Sequence, residues 1–169
     1  MRDASRQFTT EDEDQSSGGA VNCDTNNTWG DGAHFQGDFI AGIANRQTAM
    51  VDAHFGGTVY WDLLSNVFQQ QGPDDDYYSV NLFVHDGILW DNAKYHGGSG
   101  NVSFGDGSPP FDNRTRIDCA GHELGHAWND HNTDMHGDVG GLNESLGDIF
   151  GEWTDAYLNS GNFASYSFN

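Results

Sequence analysis

The sequence predicts an α+β fold. It should have an irregular β-rich amino-terminal part, a small sheet with an edge strand, a long helix, a helix that carries HELGH and a following helix that carries a glutamate. Three observations predict this. The first fifty residues are rich in Gly, Asn, Asp, Ser and Thr and contain only short apolar pieces. The next stretch has apolar residues near helical spacing, and the remainder has two alternating segments followed by two helical ones. A length of 169 residues, 36% of them hydrophobic, predicts one domain over 1–169.

The individual elements follow from local patterns. A long helix is predicted from about Thr48 to Gln71, where Gly72-Pro73 would stop it. YYSVNLFVHDG and NVSFGDG are predicted strands, and ILWDNAKYHGGSG between them is a predicted edge strand and loop. DNRTRIDCAGHELGHAWNDHN and LNESLGDIFGEWTDAYLNS are predicted helices joined by a glycine-rich connection. The apolar positions that predict the long helix are Val51, Phe55, Val59, Leu63 and Phe68.

The charge of the chain restricts its partners. With 26 acidic and 6 basic residues, the formal charge is −20, so neither nucleic acid nor an anionic membrane is an expected partner. Most of the acidic residues are expected to be solvated, and the composition also suits a high-salt or calcium-rich environment. No apolar run is long enough to span a membrane, and the first residues lack the apolar segment of a signal peptide.

Two cysteines are too few to define a disulfide framework. Cys119 lies one turn before the HELGH histidines, which favours a buried free thiol. A single bridge between Cys23 and Cys119 is the alternative.

HELGH is the H-E-x-x-H pattern of a zinc peptidase helix. His122 and His126 are four residues apart, so both imidazoles lie on one helical face and can bind one ion, with Glu123 turned beside it. A catalytic zinc needs a third protein ligand. Glu144, 22 positions after His122 on the next helix, is the candidate, and Asp148 one turn later could accept the free N–H of a liganding histidine.

The alternative is a surface helix with a coincidental motif and a solvated acidic face at positions 144 and 148. The four residues in this chain order favour a zinc site. In that site Glu123 would take a proton from the zinc-bound water and pass it to the leaving amine.

These segments resemble the thermolysin family of neutral metalloproteases. HELGH and GGLNESLGDIFGE are similar to that family's HExxH and GxxNExxSD segments, with Gly147 where a serine is usual. VDAHFGGTVYWD resembles the helix before its active site, and HDGILWDNAKYHGGSGNVSFGDG resembles its N-A-F-W strand and G-D-G turn. MRDASRQFTTED faintly resembles a strand of its β-rich half. The resemblance is strongest from Val51 to Glu152.

The resemblance implies roles for individual residues. His122, His126 and Glu144 would be the zinc ligands, and Glu123 the general base. Along the edge strand, Asn92 and Ala93 would bind the substrate backbone, with Tyr95 at the position of the family's tryptophan.

Three further positions are implied less directly. Asp118 and Asp155 fall where the family has calcium-binding carboxylates, although salt bridging or solvation is an alternative for both. His136 lies near the position of a tyrosine that stabilises the transition state. The connection around it is about two residues shorter than usual.

The family's mainly helical carboxy-terminal domain, which supplies a histidine, an arginine and part of the substrate pocket, is absent from these 169 residues. Two hypotheses therefore stand. One is a secreted zinc endopeptidase acting on peptide or protein substrates. The other is a non-catalytic extracellular protein that keeps the metal scaffold for structure or for calcium-dependent self-assembly.

Overall fold

The computed structural model describes residues 1–12, 46–87, 89–107, 114–135 and 139–160, and it has the predicted α+β architecture. The remaining predictions for the first fifty residues, together with those for Cys23 and His136, concern positions outside the described residues. The strands are β1 (Arg2–Asp3), β2 (Phe8–Asp12), β3 (Val80–Val84), β4 (Ala93–His96) and β5 (Asn101–Phe104). The α-helices are α1 (Arg46–Leu63), α2 (Ile117–Asn132) and α3 (Gly140–Ser160).

The strands form one mixed sheet in the order β1-β2-β3-β5-β4. Strands β2, β3 and β5 run parallel, whereas β1 pairs with β2 and β4 pairs with β5 in antiparallel register. In β3, Val80, Leu82 and Val84 are buried and the residues between them are half-buried, as the alternating pattern predicts. Strand β4 is at the edge of the sheet, which confirms the predicted edge strand.

Helix α1 packs between the sheet and α2 through two adjacent glycines. A Cβ on Gly56 would lie 2.8 Å from the Cβ of Ala120 in α2, and one on Gly57 would lie 3.0 Å from Leu82 in β3. These contacts decide which face of α1 is buried. Phe55, one of the apolar positions that predict the helix, is 49% exposed, while Tyr60 is fully buried.

The predicted end of the long helix was wrong. The α-helix ends at Leu63, not Gln71, and continues as a π-helical turn over Leu64–Phe68. Gln69 then adopts a left-handed conformation with φ 58°, and its N–H donates to the Leu64 carbonyl. A π turn shifts the following side chains around the helix axis, so a uniform helical period does not reveal it.

Helices α2 and α3 pack antiparallel. Gly121, early in α2, lies against Thr154 late in α3, whereas His126, later in α2, contacts Asn143 near the start of α3. His122 contacts Asp148 between them. Phe150 anchors α3 in the core through ring contacts with Tyr60, Phe68, Trp128 and Trp153. Among the described residues, no helix has the length and apolar character that crossing a membrane would require.

Candidate metal centre

Helix α2 brings the two HELGH histidines together as the spacing predicts. The Nε2 atoms of His122 and His126 are 3.1 Å apart, and their ring centroids are 4.7 Å apart. The buried hydroxyl of Tyr60 in α1 donates to the Leu124 carbonyl at 2.9 Å, which fixes α2 at the centre of the motif.

Glu144 approaches the same point from α3. Its Oε2 lies 3.4 Å from His122 Nε2, and its Oε1 lies 3.8 Å from His126 Nε2. One ligand atom from each of the three residues lies within 4.8 Å of the other two. Within the part of the chain that the structure describes, this is the only such group of three His, Cys, Asp or Glu residues.

The outer nitrogens of both histidines have hydrogen-bond acceptors. His122 Nδ1 is 2.9 Å from Asp148 Oδ1, and His126 Nδ1 is 2.8 Å from Asn143 Oδ1. An ionised carboxylate and an amide oxygen only accept, so each imidazole carries its proton on Nδ1. Both Nε2 lone pairs therefore face each other beside a carboxylate. Two nitrogens and one oxygen in this arrangement fit a zinc ion.

Sequence reasoning identified Asp148 but missed Asn143. The available signal was a polar side chain directly before the third ligand, at the start of α3. Nothing in the spacing shows that this side chain turns toward His126, because the contact depends on how the connection between α2 and α3 folds.

Small residues let α3 come close enough to contribute its side chains. A Cβ on Gly125 would lie 2.8 Å from the Phe150 side chain, and one on Gly151 would lie 2.6 Å from the Asp118 carbonyl. Gly147, where the family has a serine, lies under the His122 ring. A Cβ added to Gly147 would lie 2.9–3.0 Å from three atoms of that ring. Glycine at this position leaves room for the imidazole against α3.

Glu123 is 7% exposed, and its Oε2 accepts a hydrogen bond of 2.7 Å from the Tyr95 backbone N–H. Burial raises the pKa of Glu123, while the Tyr95 N–H and the neighbouring histidines act to lower it. Sequence reasoning did not predict the Tyr95 contact, since it joins a strand to a helix 28 residues away.

The site opens into cavities on two sides. One of about 370 Å³ is lined by Ala93, Tyr95 and Asp130, and one of about 550 Å³ is lined by Cys119, Asp148 and Glu152. Both cavities are also lined by Asn92, His122, Glu123 and Glu144. The structure thus brings the predicted substrate-binding positions Asn92, Ala93 and Tyr95 to the wall beside the histidines.

Asp118 and Asp155 are the carboxylates predicted to bind calcium. Among the described residues, neither belongs to a group of three acidic or other potential ligand side chains close enough to share an ion. Asp118, in the first turn of α2, pairs with Arg116 at 3.3 Å. Asp155 lies one turn after Gly151 in α3 and is half-buried. Their calcium role stays a prediction. Cys119 is a free thiol, as the favoured interpretation predicts, but it is half-buried and not fully buried.

An HExxH helix, an antiparallel glutamate-bearing helix and an edge strand beside them are the arrangement of a metallopeptidase domain. The family profile described as "Thermolysin metallopeptidase, catalytic domain" matches residues 1–130. Bacillolysin from Bacillus caldolyticus is 32% identical over 119 residues, which make up 69% of this chain and 22% of that protein. The transglutaminase-activating metalloprotease from Streptomyces mobaraensis is 30% identical over 145 residues, covering 84% of this chain and 18% of that protein.

A solved structure agrees on the fold. The precursor of protealysin, a metalloproteinase from Serratia proteamaculans, matches 90% of this chain and 44% of its own with a TM-score of 0.68 and 24% identity. Since the profile covers more than half of the chain, the protein belongs to the thermolysin metallopeptidase family. The chain spans about a fifth of the length of these two curated relatives.

Proposed function

We propose that the protein is a zinc-dependent endopeptidase that hydrolyses peptide bonds in peptide or protein substrates. The observation that carries the proposal is the buried Glu123 carboxylate beside two imidazole nitrogens that converge with Glu144. His122, His126 and Glu144 would hold the metal. When bound, zinc supplies Lewis acidity, which polarises a peptide carbonyl and makes water a stronger acid.

Glu123 acts as the general base in this proposal. Its Oε2 is held by the Tyr95 N–H, which leaves Oε1 to accept a proton from water in the cleft. The carboxyl group then donates that proton to the departing amine. Asp148 and Asn143 keep the outer protons of the two imidazoles in place, so that the inner nitrogens stay unprotonated.

The edge strand β4 would bind the substrate as an additional strand. The Tyr95 N–H points away from β5 toward Glu123, and alternation along a strand puts the backbone groups of Ala93 on the same side. A peptide paired there would run past Glu123 and the histidines. Asn92 lines both cavities and could hydrogen-bond the same peptide.

The finer parts of the proposal rest on the family resemblance. His136 would donate a hydrogen bond to the developing oxyanion. Asp118 and Asp155 would bind a structural calcium ion with further oxygen ligands. An extracellular location belongs to the same proposal, because the family that the chain resembles is one of secreted proteases.

A direct test compares the wild type with Glu123→Gln. Glutamine keeps the shape of the side chain and does not remove a metal ligand, but it cannot accept the proton. We expect unchanged zinc binding and a loss of hydrolysis of about 10²–10⁴-fold. The measurements are zinc content by mass spectrometry and turnover of a fluorescently labelled unfolded protein. Glu11→Gln, on β2 and outside both cavities, is the matched control and should keep full turnover.

Equal turnover by the wild type and Glu123→Gln would contradict the proposal and favour the non-catalytic alternative. That alternative makes its own prediction, since an assembly role requires the molecular mass in solution to rise with added calcium. Light scattering with calcium and with a chelator distinguishes the two hypotheses.

A further inference from the structure

A chain of hydrogen bonds continues beyond Asn143, away from the metal centre. Asn129 in the last turn of α2 is 1% exposed, and its Nδ2 donates to Asn143 Oδ1 at 2.8 Å. The Thr133 hydroxyl donates to Asn129 Oδ1, and the Met135 backbone N–H donates to Thr133 Oγ1 at 3.2 Å. The chain of contacts therefore runs from the residues after α2 to the outer nitrogen of His126.

Two amides give this chain its direction. A primary amide presents an oxygen that only accepts on one side and an NH2 group that only donates on the other. In the structure the Thr133 hydroxyl lies against Asn129 Oδ1 and 3.2 Å from the Asn129 backbone carbonyl, and Asn129 turns its NH2 group toward Asn143. Asn143 must then present its oxygen, and this oxygen is also the acceptor for His126 Nδ1.

We propose that Asn129 is a positioning residue for the metal centre. It orients the Asn143 amide, and through it keeps the proton of His126 on Nδ1 and the metal-binding lone pair on Nε2. The Thr133 hydroxyl supports the orientation of Asn129 by donating to its Oδ1. Neither residue is one of the three candidate ligands, so both act through Asn143. The inference rests on the zinc site of the proposed function and adds to it how His126 is prepared for the metal.

Asn129→Asp tests the proposal with almost no change in shape. A carboxylate at this position accepts only, so Asn143 would turn its NH2 group toward it. The same NH2 group would then donate to His126 Nδ1 and move the imidazole proton to Nε2, where it blocks the metal. We expect zinc affinity to fall about 10–100-fold, the usual effect of removing a partner of a metal-binding histidine.

Asn132→Asp is the matched control, because it adds the same negative charge at the same end of α2. Asn132 is exposed, lines neither cavity, and hydrogen-bonds the Pro73 and Trp128 carbonyls outside the chain of contacts that reaches His126. We expect its zinc affinity to equal that of the wild type. An equal loss of affinity in Asn129→Asp and Asn132→Asp would overturn the proposal, since charge would then explain both.

Thr133→Val is a second variant in case a buried carboxylate at position 129 prevents folding. It removes the hydroxyl that donates to the Asn129 amide oxygen, at a half-buried position, and introduces no charge. We expect a smaller loss of zinc affinity in the same direction. Unchanged affinity in Thr133→Val would contradict the role given to Thr133.

Two measurements on the full chain decide the question. Competition with a fluorescent chelator gives the zinc affinity, and ¹⁵N NMR of the metal-free protein shows which ring nitrogen of His126 carries the proton. A purely structural role for Asn129 would lower the melting temperature without moving that proton. Retention of the proton on Nδ1 in Asn129→Asp would overturn the inference.

The test of Asn129 does not depend on whether the protein hydrolyses a peptide substrate. A wild type that binds zinc but hydrolyses nothing would contradict the proposed peptidase function, while the loss in Asn129→Asp would still support the positioning role. A wild type that binds no zinc would overturn both.

Discussion

Among single residues, Cys119 combines a raised thiol pKa with a position beside the candidate metal centre. Burial, together with the nearby carboxylates of Glu123 and Asp118, raises the pKa of its thiol to about 12, and the opposing effects of Arg114 and Arg116 are smaller. The thiol lines the larger cavity and stays neutral at physiological pH. It is therefore a poor nucleophile despite its position beside the site.

This predicts slow alkylation of Cys119. Only the thiolate reacts, and a pKa of about 12 leaves a much smaller thiolate fraction at pH 8 than the ordinary pKa near 8.5 does. We expect iodoacetamide to modify native Cys119 roughly 1,000-fold more slowly than the urea-unfolded chain, with a rate that still rises above pH 10. Mass spectrometry of the peptide that contains Cys119 follows the reaction. A native rate that levels off near pH 9 would contradict the raised pKa.

The residues of the site differ in how far the sequence predicts them. The pairs His122/His126 and Glu144/Asp148 follow from helical spacing, because residues four apart lie on one face of a helix. Asn143, Asn129 and the Tyr95 N–H do not, since their contacts join segments whose relative positions only the folded chain determines. Local patterns therefore predict the candidate ligands of the site, and tertiary structure determines the groups that contact them.

At the scale of elements, the site depends on the close contact of α2 and α3. Gly151 is central to it, because a Cβ there would meet the Asp118 backbone carbonyl at 2.6 Å, and backbone atoms cannot turn away as a side chain can. Gly141, in the first turn of the same helix, has nothing within 4 Å of its hypothetical Cβ. The two glycines allow the same substitution to be compared in two environments.

Gly151→Ala should lower the free energy of unfolding by about 1–3 kcal/mol, the usual cost of overpacking. Gly141→Ala should leave it unchanged or raise it by up to about 1 kcal/mol, because alanine favours the helix. Urea unfolding of the metal-free chain measures both. If Gly151→Ala were as stable as Gly141→Ala, the close packing of the two helices would be refuted.

The sequence predicts strands and helices well where apolar residues recur at one regular spacing along the whole element. Strands β3 and β5, the edge position of β4 and the helices α2 and α3 follow from alternation and helical spacing. The end of α1 does not follow from helical spacing. A π turn changes the number of residues per turn there, and the turn contains no proline or glycine that would mark it in the sequence. The parallel pairing of β2 with β3 was also not predictable, since more than sixty residues separate the two strands.

At the scale of the whole molecule, charge is the dominant feature. The 6 basic residues cannot neutralise 26 acidic ones. Arg6 already pairs with both Asp3 and Asp62, and Arg114 and Arg116 pair with Asp91 and Asp118. Exposed pairs of this kind contribute little to stability. Repulsion among the remaining carboxylates opposes the compact state, because unfolding separates the charges.

Salt should therefore stabilise the protein. Between 10 mM and 0.3 M NaCl the screening length falls from about 30 Å to below 10 Å, which weakens repulsion over most of the surface. Salt also weakens the attraction within the ion pairs, but repelling pairs of carboxylates outnumber them. We expect the melting temperature of the metal-free chain to rise by a few degrees, where roughly 2–4 °C corresponds to 1 kcal/mol for a domain of this size. Sucrose at matched osmolality is the control, because it stabilises by exclusion from the surface without screening. A melting temperature that is flat or falls over this range would mean that the carboxylates do not repel one another appreciably in the folded chain.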